Sequence, residues 1–449
     1  MRHSGGGSGR AASFIVAAAM LLVGATGVGL EAASRDLGRE VLAPNDGWAS
    51  FGSGTTGGAA AAPEQTWVVT TRRELIAALN NGVYPGPSNP SNVPKIIYVD
   101  GTIDANADDD GVPLTCADYE RNGYTLEAYL AAYDPAVWGR VPPSGDLENA
   151  RRASASAQQS RIRIRVGSNT TIVGVDRRAV IKGAWLDIRG TGRTNIIIRN
   201  LRFEDTFDCF PAWDPQDGSA GNWNSAYDSI SIRDGDHVWV DHNDFADVET
   251  DDVTLPTYFG RLYQVHDGLV DITNAASYLT VSWNRFLNHD KTMLIGSSDS
   301  ATADRGRLKV TLHHNVFDGV GQRGPRVRFG QVHIFNDYYR IKKVPGYGYS
   351  WGVGKESAIY AEQNFFRTDG DVEPADLLAT FGGTAVVTLA TQFNAASANH
   401  AVDVRGEWNA MNDPDLTDAV GWTPMLFVSV HPAFKVPALV ASQAGPFNW

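Results

Sequence analysis

The chain has 449 residues, a formal net charge of -13 and two cysteines. That length allows a large core, in several domains or in one long all-β domain. The acidic balance excludes wholesale nucleic-acid binding, which favours a basic surface, so a polyanion would have to be met by a local basic patch.

Taken in chain order, the first feature is an export signal over residues 1–33. Arg2 and Arg10 precede an apolar run from Phe14 to Leu22, and Ala25-Thr26-Gly27 or Ala32-Ala33 offers a small-residue cleavage site. The run is too short and glycine-broken to span a bilayer, and no second apolar stretch follows. Residues 34–65 are rich in Gly, Ala and Ser and read as a linker or a loosely held N-terminal arm. From Arg72 to Leu79, Leu75, Ile76 and Leu79 share one helical face. Residues 104–160 are polar and Gly/Pro-broken, with one helix predicted around Leu126 to Tyr133. Cys116 and Cys209 are compatible with one disulfide or with two buried thiols.

From Thr170 onwards a strand pattern recurs: Ile196 to Phe203, Val238 to Phe245, Leu279 to Phe286, Val310 to Phe317, Val332 to Tyr338 and Ile359 to Phe366. Five copies end in Asn-x-aromatic (Asn243/Phe245, Asn284/Phe286, Asn315/Phe317, Asn336/Tyr338, Asn364/Phe366), while the first has Leu201 in the asparagine position and Asn200 one place early. Such strands cannot bury an apolar face alone, but stacked parallel coils bury one continuous core. Asparagine suits the corner of each coil, where it tolerates left-handed backbone. The tight Asn-Gly and Asp-Gly turns of an antiparallel sandwich are mostly missing. The expected fold is therefore an all-β, parallel β-helix over residues 66–449, with the segment Arg72 to Leu79 as a helix capping its N-terminal end and long loops inserted between coils.

The chemistry concentrates between Val265 and Arg328: His266-Asp267-Gly268-Leu269-Val270-Asp271, then His289-Asp290-Lys291, then Gln322-Arg323-Gly324-Pro325-Arg326-Val327-Arg328. Carboxylates, a lysine and clustered arginines are what a divalent metal and a polyanion need in one place. The stretch from Arg305 to Lys343 supplies the basic patch: Arg305, Arg307, Lys309, Arg323, Arg326, Arg328, Arg340, Lys342 and Lys343. In a regular strand Asp267 and Asp271 would lie about 13 Å apart, too far for one cation, so the backbone has to bend between them, at Gly268.

Val238-Trp239-Val240-Asp241-His242, Asp267-Gly268-Leu269-Val270-Asp271 and Arg323-Gly324-Pro325-Arg326-Val327-Arg328 resemble the signature segments of secreted pectate lyases of the pectate lyase/pectin lyase superfamily (polysaccharide lyase family 1). The likeness runs from Gly47-Trp48-Ala49-Ser50-Phe51 to Gly421-Trp422-Thr423-Pro424. It implies a right-handed parallel β-helix and a calcium-dependent β-elimination on polygalacturonate. It implies Ca²⁺ ligation by Asp228, Asp267 and Asp271, and Asp217 matches a position holding further, substrate-bridged calcium. Lys291 and Arg328 are then substrate-binding, and Arg323 is the arginine that abstracts the C5 proton. Surrounding cations (Ca²⁺, Lys291, Arg328) are expected to lower the Arg323 pKa.

Trp239, Asp241 and His242 are assigned to structure. The expected partner is polygalacturonate, with no nucleic acid, no membrane after signal removal, and a secreted monomer as the default. Competing readings are a pectin lyase on methyl-esterified pectin, a glycoside hydrolase using two carboxyl groups, and a non-catalytic polysaccharide-binding β-helix.

Overall fold

A computed structural model of the chain describes residues 35–86, 89–342, 346–394 and 400–448. The export signal expected over residues 1–33 and the basic residue Lys343 lie outside the described residues. Contacts divide the chain into Met1–Asp36 and Leu37–Trp449, and the coil belongs to the second unit.

The recurring strands stack as a right-handed parallel β-helix with three sheet faces. Val238 pairs with Ile196 on one side and Leu279 on the other, and the same row continues through Val310, Val332, Ile359 and Val386. Long strands such as Ile230–Asp241 serve two faces in succession, changing register between Arg233 and Gly235. The face that carries the chemistry continues through Val270–Thr273, Leu294–Ile295, Arg326–Val327, Trp351–Gly354 and Leu378–Phe381. Isoleucine and valine dominate because each strand turns one side chain in two into the solenoid, where branched residues fill the pleat. On the third face Phe203, Phe245, Phe286, Phe317, Tyr339 and Phe366 stack ring on ring at 4.9, 5.1, 4.9, 4.6 and 4.4 Å. That spacing is the strand-to-strand repeat itself, so aromatic stacking costs the sheet no distortion.

The corner ladder corrects one copy of the repeat. Asn243, Asn284, Asn315 and Asn364 are fully buried ladder members, but in the fifth copy the corner belongs to Asp337 and the ring to Tyr339, one residue after Asn336 and Tyr338. Each asparagine accepts from the corner of the preceding coil and donates its Nδ2–H to a backbone carbonyl there, as Asn284 does to Val240. Asp337 Oδ1 accepts from Asn315 N and Nδ2 at 2.7 and 3.0 Å, while its Oδ2 is buried with no partner. Burial pushes this carboxyl up to about 7, from 3.8, against the pull of the Asn315 bonds and His313.

A raised carboxyl pKa means that folding favours the protonated form. The stability this group contributes is fully present below pH about 4 and is lost as pH rises through about 7. Asp337→Asn restores the missing donor. It is expected to stabilise the protein by about 2 kcal/mol near pH 8, with the gain shrinking towards pH 5. Melting curves of both proteins across that range check this; a gap that ignores pH would count against it.

The segment Arg72–Leu79 is a helix, as expected, started by Thr71, whose hydroxyl accepts from Glu74 N–H. Leu75, Ala78 and Leu79 enter the core beside the first strands, whereas Ile76 stays half-buried. The Gly/Ala-rich stretch is not loose within the second unit. Trp48 and Ala49 N–H donate to Thr311 and Thr280 side chains, Gly58 N–H to Thr171, and Leu42 and Ala49 pack on Ile197 and Trp239. Gly38, Gly47, Gly57 and Gly58 allow close approach: a β-carbon at Gly58 would lie 1.9 Å from the Lys95 carbonyl oxygen.

Residues 104–160 hold more helix than one. Besides Leu126–Ala132 there is Asp146–Ile162, whose buried face is largely polar: Glu148, Arg151, Ser154 and Gln158, beside Ala150 and Ile162. Arg151 pairs with Glu148 at 2.8 Å and donates to the Phe210 carbonyl, and Tyr129 donates to Glu148. Cys116 and Cys209 form a disulfide, tying this excursion to the coil loop that carries Phe210.

Candidate active site

Asp228, Asp267 and Asp271 come from two successive coils. Ser231 and Asp271 are register partners, and Asp228 precedes its strand as Asp267 precedes the next. The bend expected between Asp267 and Asp271 is met by starting the strand only at Val270, which leaves Asp267 in the irregular run before it. Gly268 is required for room. A β-carbon there would lie 2.4 Å from Asp271 Oδ1 and 3.0 Å from Asp228 Oδ1, so the two carboxylates close around it. Asp228 accepts from Gly268 N–H at 3.1 Å and from the Ser231 hydroxyl, and Asp271 accepts from Leu294 N–H at 2.9 Å.

These acids lack enough counter-charge. Burial, then the Asp267 charge, raises Asp228 to about 7. Burial, then Asp228 and Asp267, drives Asp271 well above the ordinary carboxylate value. Lys291 is buried, on a bridge between its backbone and Gln322, and its Nζ lies 3.8 Å from Asp267 Oδ1. An oxygen-only donor set with excess negative charge fits a hard cation such as Ca²⁺ better than zinc, whose sites are built mainly on histidine and cysteine.

Arg323 follows Gln322 with a left-handed backbone, φ 59°, uncommon for a side chain of this size. Its Nε is buried without a hydrogen-bond partner. Its pKa departs from the sequence expectation. Burial, the largest influence, lowers it, but Asp267 and Asp271 more than offset this and hold the guanidinium above its usual value. The reason is the neighbours: in the protein alone the strongest charges acting on Arg323 are the anionic Asp267 and Asp271.

Val327 enters the core between Arg326, on the strand Arg326–Val327, and Arg328, which lies one residue beyond that strand and is itself buried. Arg326 lies over the Phe381 ring at 3.7 Å, while Arg328 donates to Asp299 at 2.7 Å and to the Gly296 carbonyl at 3.1 Å. The groups therefore divide, with Asp228, Asp267, Asp271, Lys291 and Arg323 together and Arg328 engaged with Asp299. Asp217 stands exposed between the strands Ala212–Asp214 and Asn222–Asn224.

The basic patch expected from Arg305 onwards does not form as one surface. Arg305 pairs with Glu356, Arg340 and Lys342 with Asp318, and Lys309 sits over Trp48. Positions along a coil turn onto different faces, so closeness in sequence did not carry over. Trp239, Asp241 and His242 are structural in position: Trp239 lies under the N-terminal arm, and Asp241 holds both Arg199 and His242 at 2.9 and 2.8 Å.

Sequence reasoning gave no role to a buried network beside the acids. His266 Nδ1 lies 2.8 Å from Asp252 Oδ1, and His289 Nδ1 lies 2.7 Å from Asp247 Oδ2. The other nitrogen of His289 is 2.7 Å from the Asp267 carbonyl oxygen. Burial lowers the His289 pKa, but Asp247 above all raises it to about 9. Asp247, Asp252 and His266 bring ligand-type atoms within 4.8 Å of one another, an approach their own hydrogen bonding accounts for. The signal available was adjacency, since His266 and His289 immediately precede the segments of Asp267 and Lys291.

A cavity of about 270 Å³ opens here, lined among others by Asp252, Gln264, His289, Asp290 and Gln322. A larger one of about 420 Å³, between Arg72, Tyr84 and Arg163, includes none of the site residues.

A family model described as pectate lyase matches residues 143–406, more than half of the chain. The chain belongs to the pectate lyase family. It is 43% identical over 440 residues to the pectate lyase of Bacillus subtilis (strain 168), covering 96% of this chain and 98% of that protein. It is 34% identical over 378 residues to pectate lyase E of Dickeya dadantii (strain 3937), covering 82% and 80%. A solved structure of a pectate lyase bound to a hexasaccharide superposes with a TM-score of 0.85 at 42% identity, covering 92% of this chain and 99% of that one. The enzyme is a polysaccharide lyase, and its β-helix is the architecture of these relatives.

Proposed function

We propose that the enzyme is a secreted, calcium-dependent pectate lyase cleaving (1→4)-α-D-galacturonan by β-elimination to 4,5-unsaturated oligogalacturonates. One observation carries this reading: Asp228 and Asp271 are buried carboxylates with raised pKa values, gathered with Asp267 within reach of Arg323. Such a cluster is costly on its own and favourable around a divalent cation. The kinship to a lyase solved with a hexasaccharide supports an oligosaccharide substrate. The N-terminal charged and apolar pattern supports export, and an acidic chain meeting an anionic polymer at one local site supports a monomer acting without nucleic acid or membrane.

Asp228, Asp267 and Asp271 would hold the Ca²⁺, which when bound neutralises a galacturonate carboxylate and stabilises the anion that develops beside it. Lys291, 3.8 Å from Asp267, would meet a substrate carboxylate. Arg323 takes the proton from C5 through its guanidinium, the C5 electron pair forms the C4–C5 double bond, and the C4–O bond breaks, its oxygen receiving a proton from solvent. Asp267 and Asp271 hold Arg323 charged in the protein alone, so a cation that offsets their charge, together with burial and alkaline pH, would favour the neutral base. Arg328, whose Nε donates to Asp299, would be the second residue to bind a substrate carboxylate.

Incubation with de-esterified polygalacturonate and calcium is expected to yield ultraviolet-absorbing unsaturated ends, and a chelator to abolish them. Reducing ends without unsaturation, or turnover unaffected by chelation, would overturn the proposal. Faster cleavage of methyl-esterified pectin would identify a pectin lyase instead.

A further inference from the structure

We propose that His289 is a positioning residue that fixes the calcium-ligand loop at Asp267. The proposal rests on the reading of Asp267 as a ligand. The ring is buried, 5% exposed, and spans two acceptors: Asp247 Oδ2 at 2.7 Å on Nδ1 and the Asp267 carbonyl oxygen at 2.7 Å on Nε2. Asp267 otherwise sits in an irregular run, with the strand starting three residues later. The cation paired with its carboxylate, Lys291, stands at 3.8 Å, too long for a hydrogen bond. The loop before the strand therefore takes its definition from its backbone, and the His289 bond is the side-chain contact made to the Asp267 carbonyl.

Behind the ring, Asp247 is fixed in turn. It lies 3.4 Å from His266 Nδ1, whose other carboxylate is Asp252. The chain of contacts Asp252, His266, Asp247, His289, Asp267 runs from a buried cluster out to a side chain that is 26% exposed. It transmits the rigidity of the coil to the carboxylate nearest solvent. Partners behind ligands commonly change metal affinity by 10- to 100-fold when removed.

The two amide substitutions separate positioning from general support. Glutamine puts its amide nitrogen near the place of Nε2 and can still donate to the Asp267 carbonyl. Asparagine puts it near Nδ1 and keeps only Asp247. The readout is calorimetric titration of calcium into the metal-stripped full-length enzyme, with a melting curve of each variant. His289→Asn is expected to weaken calcium binding about tenfold and His289→Gln less than about threefold, although both lower the melting temperature.

Equal affinity in parent and both variants, or equal losses in the two variants, overturns the positioning role. A parent enzyme that takes up no calcium overturns the ligand reading as well, which distinguishes the two failures. If His289→Asn does not fold, Asp247→Asn tests the same chain from behind. It is expected to weaken calcium binding about threefold, and no change there overturns the proposal.

Discussion

Replacing Arg323 with lysine is expected to lower kcat on polygalacturonate by about 10³-fold, with KM changed less than about threefold. Lysine has the lower pKa, so a loss of rate reports the geometry of the base and not a base that is harder to deprotonate. The Arg323 Nε is buried and unpartnered; the Arg326 Nε is too, but that guanidinium lies over Phe381, and Arg328 is bonded to Asp299. A shorter, single-headed ammonium is strongly hydrated and cannot place a nitrogen where the guanidinium edge lies. The left-handed backbone at residue 323 fixes the direction in which the side chain leaves the coil, and the substitution preserves it. Loss of kcat at constant KM assigns Arg323 to the transition state, whereas a kcat within about threefold of the parent removes it from the reaction. The pH dependence should move with it: the parent gains activity as alkaline pH favours the neutral guanidine, and the lysine variant loses that limb.

Asp271→Asn carries the second large effect, and it has two opposite signs. Calcium affinity is expected to fall by about 100-fold, since one of three charged ligands is lost while the amide oxygen still accepts from Leu294 N–H. The calcium-free protein should become more stable at the same time. Asp271 is held well above the ordinary carboxylate value by burial and by Asp228 and Asp267. Its favourable contribution is thus complete only at acid pH and is lost as pH rises through the folded-state value. An amide avoids that loss. In melts near pH 8, the variant should exceed the parent in chelator and fall below it in millimolar calcium, where binding stabilises the parent by mass action. A calcium-free variant less stable than the parent, with an unchanged response to calcium, would show that Asp271 is neither strained nor a ligand.

The solenoid was legible because its periodicity is carried by apolar strands and by aromatic residues that recur once per coil. The pattern misplaced one rung: Asn336 precedes Asp337, and in sequence the asparagine looks the better match. Only packing shows that the ring of Tyr339, not Tyr338, continues the stack from Phe317 to Phe366. The helix Asp146–Ile162 escaped notice because its inner face is built from Glu148, Arg151, Ser154 and Gln158, which read as solvent-facing until their partners are known.

The acids and Arg323 were legible through family likeness together with their own chemistry. The charge state of Arg323 was not, because it depends on which neighbours fold beside it. Asp247 and His289 are 42 positions apart and meet only because successive coils superpose. The arm from Leu42 to Ala61 looked like linker for a similar reason, as its small residues are chosen for close approach to Thr171, Thr280 and Thr311.

How the coil stops also has a consequence. A stack of parallel strands has no inherent last member, and each bare terminal turn is a template on which another chain could add, the route to fibrils. At one extremity the helix Arg72–Leu79 puts Leu75, Ala78 and Leu79 over the growing core. At the other, the helix Val404–Asn409 inserts Val404 and Trp408, and the strand Ala401–Val402 pairs antiparallel with Thr391–Phe393, reversing the direction a newcomer would have to match. Both tips are plugged, so a protein built on an endlessly repeatable geometry is protected from polymerising with its own kind.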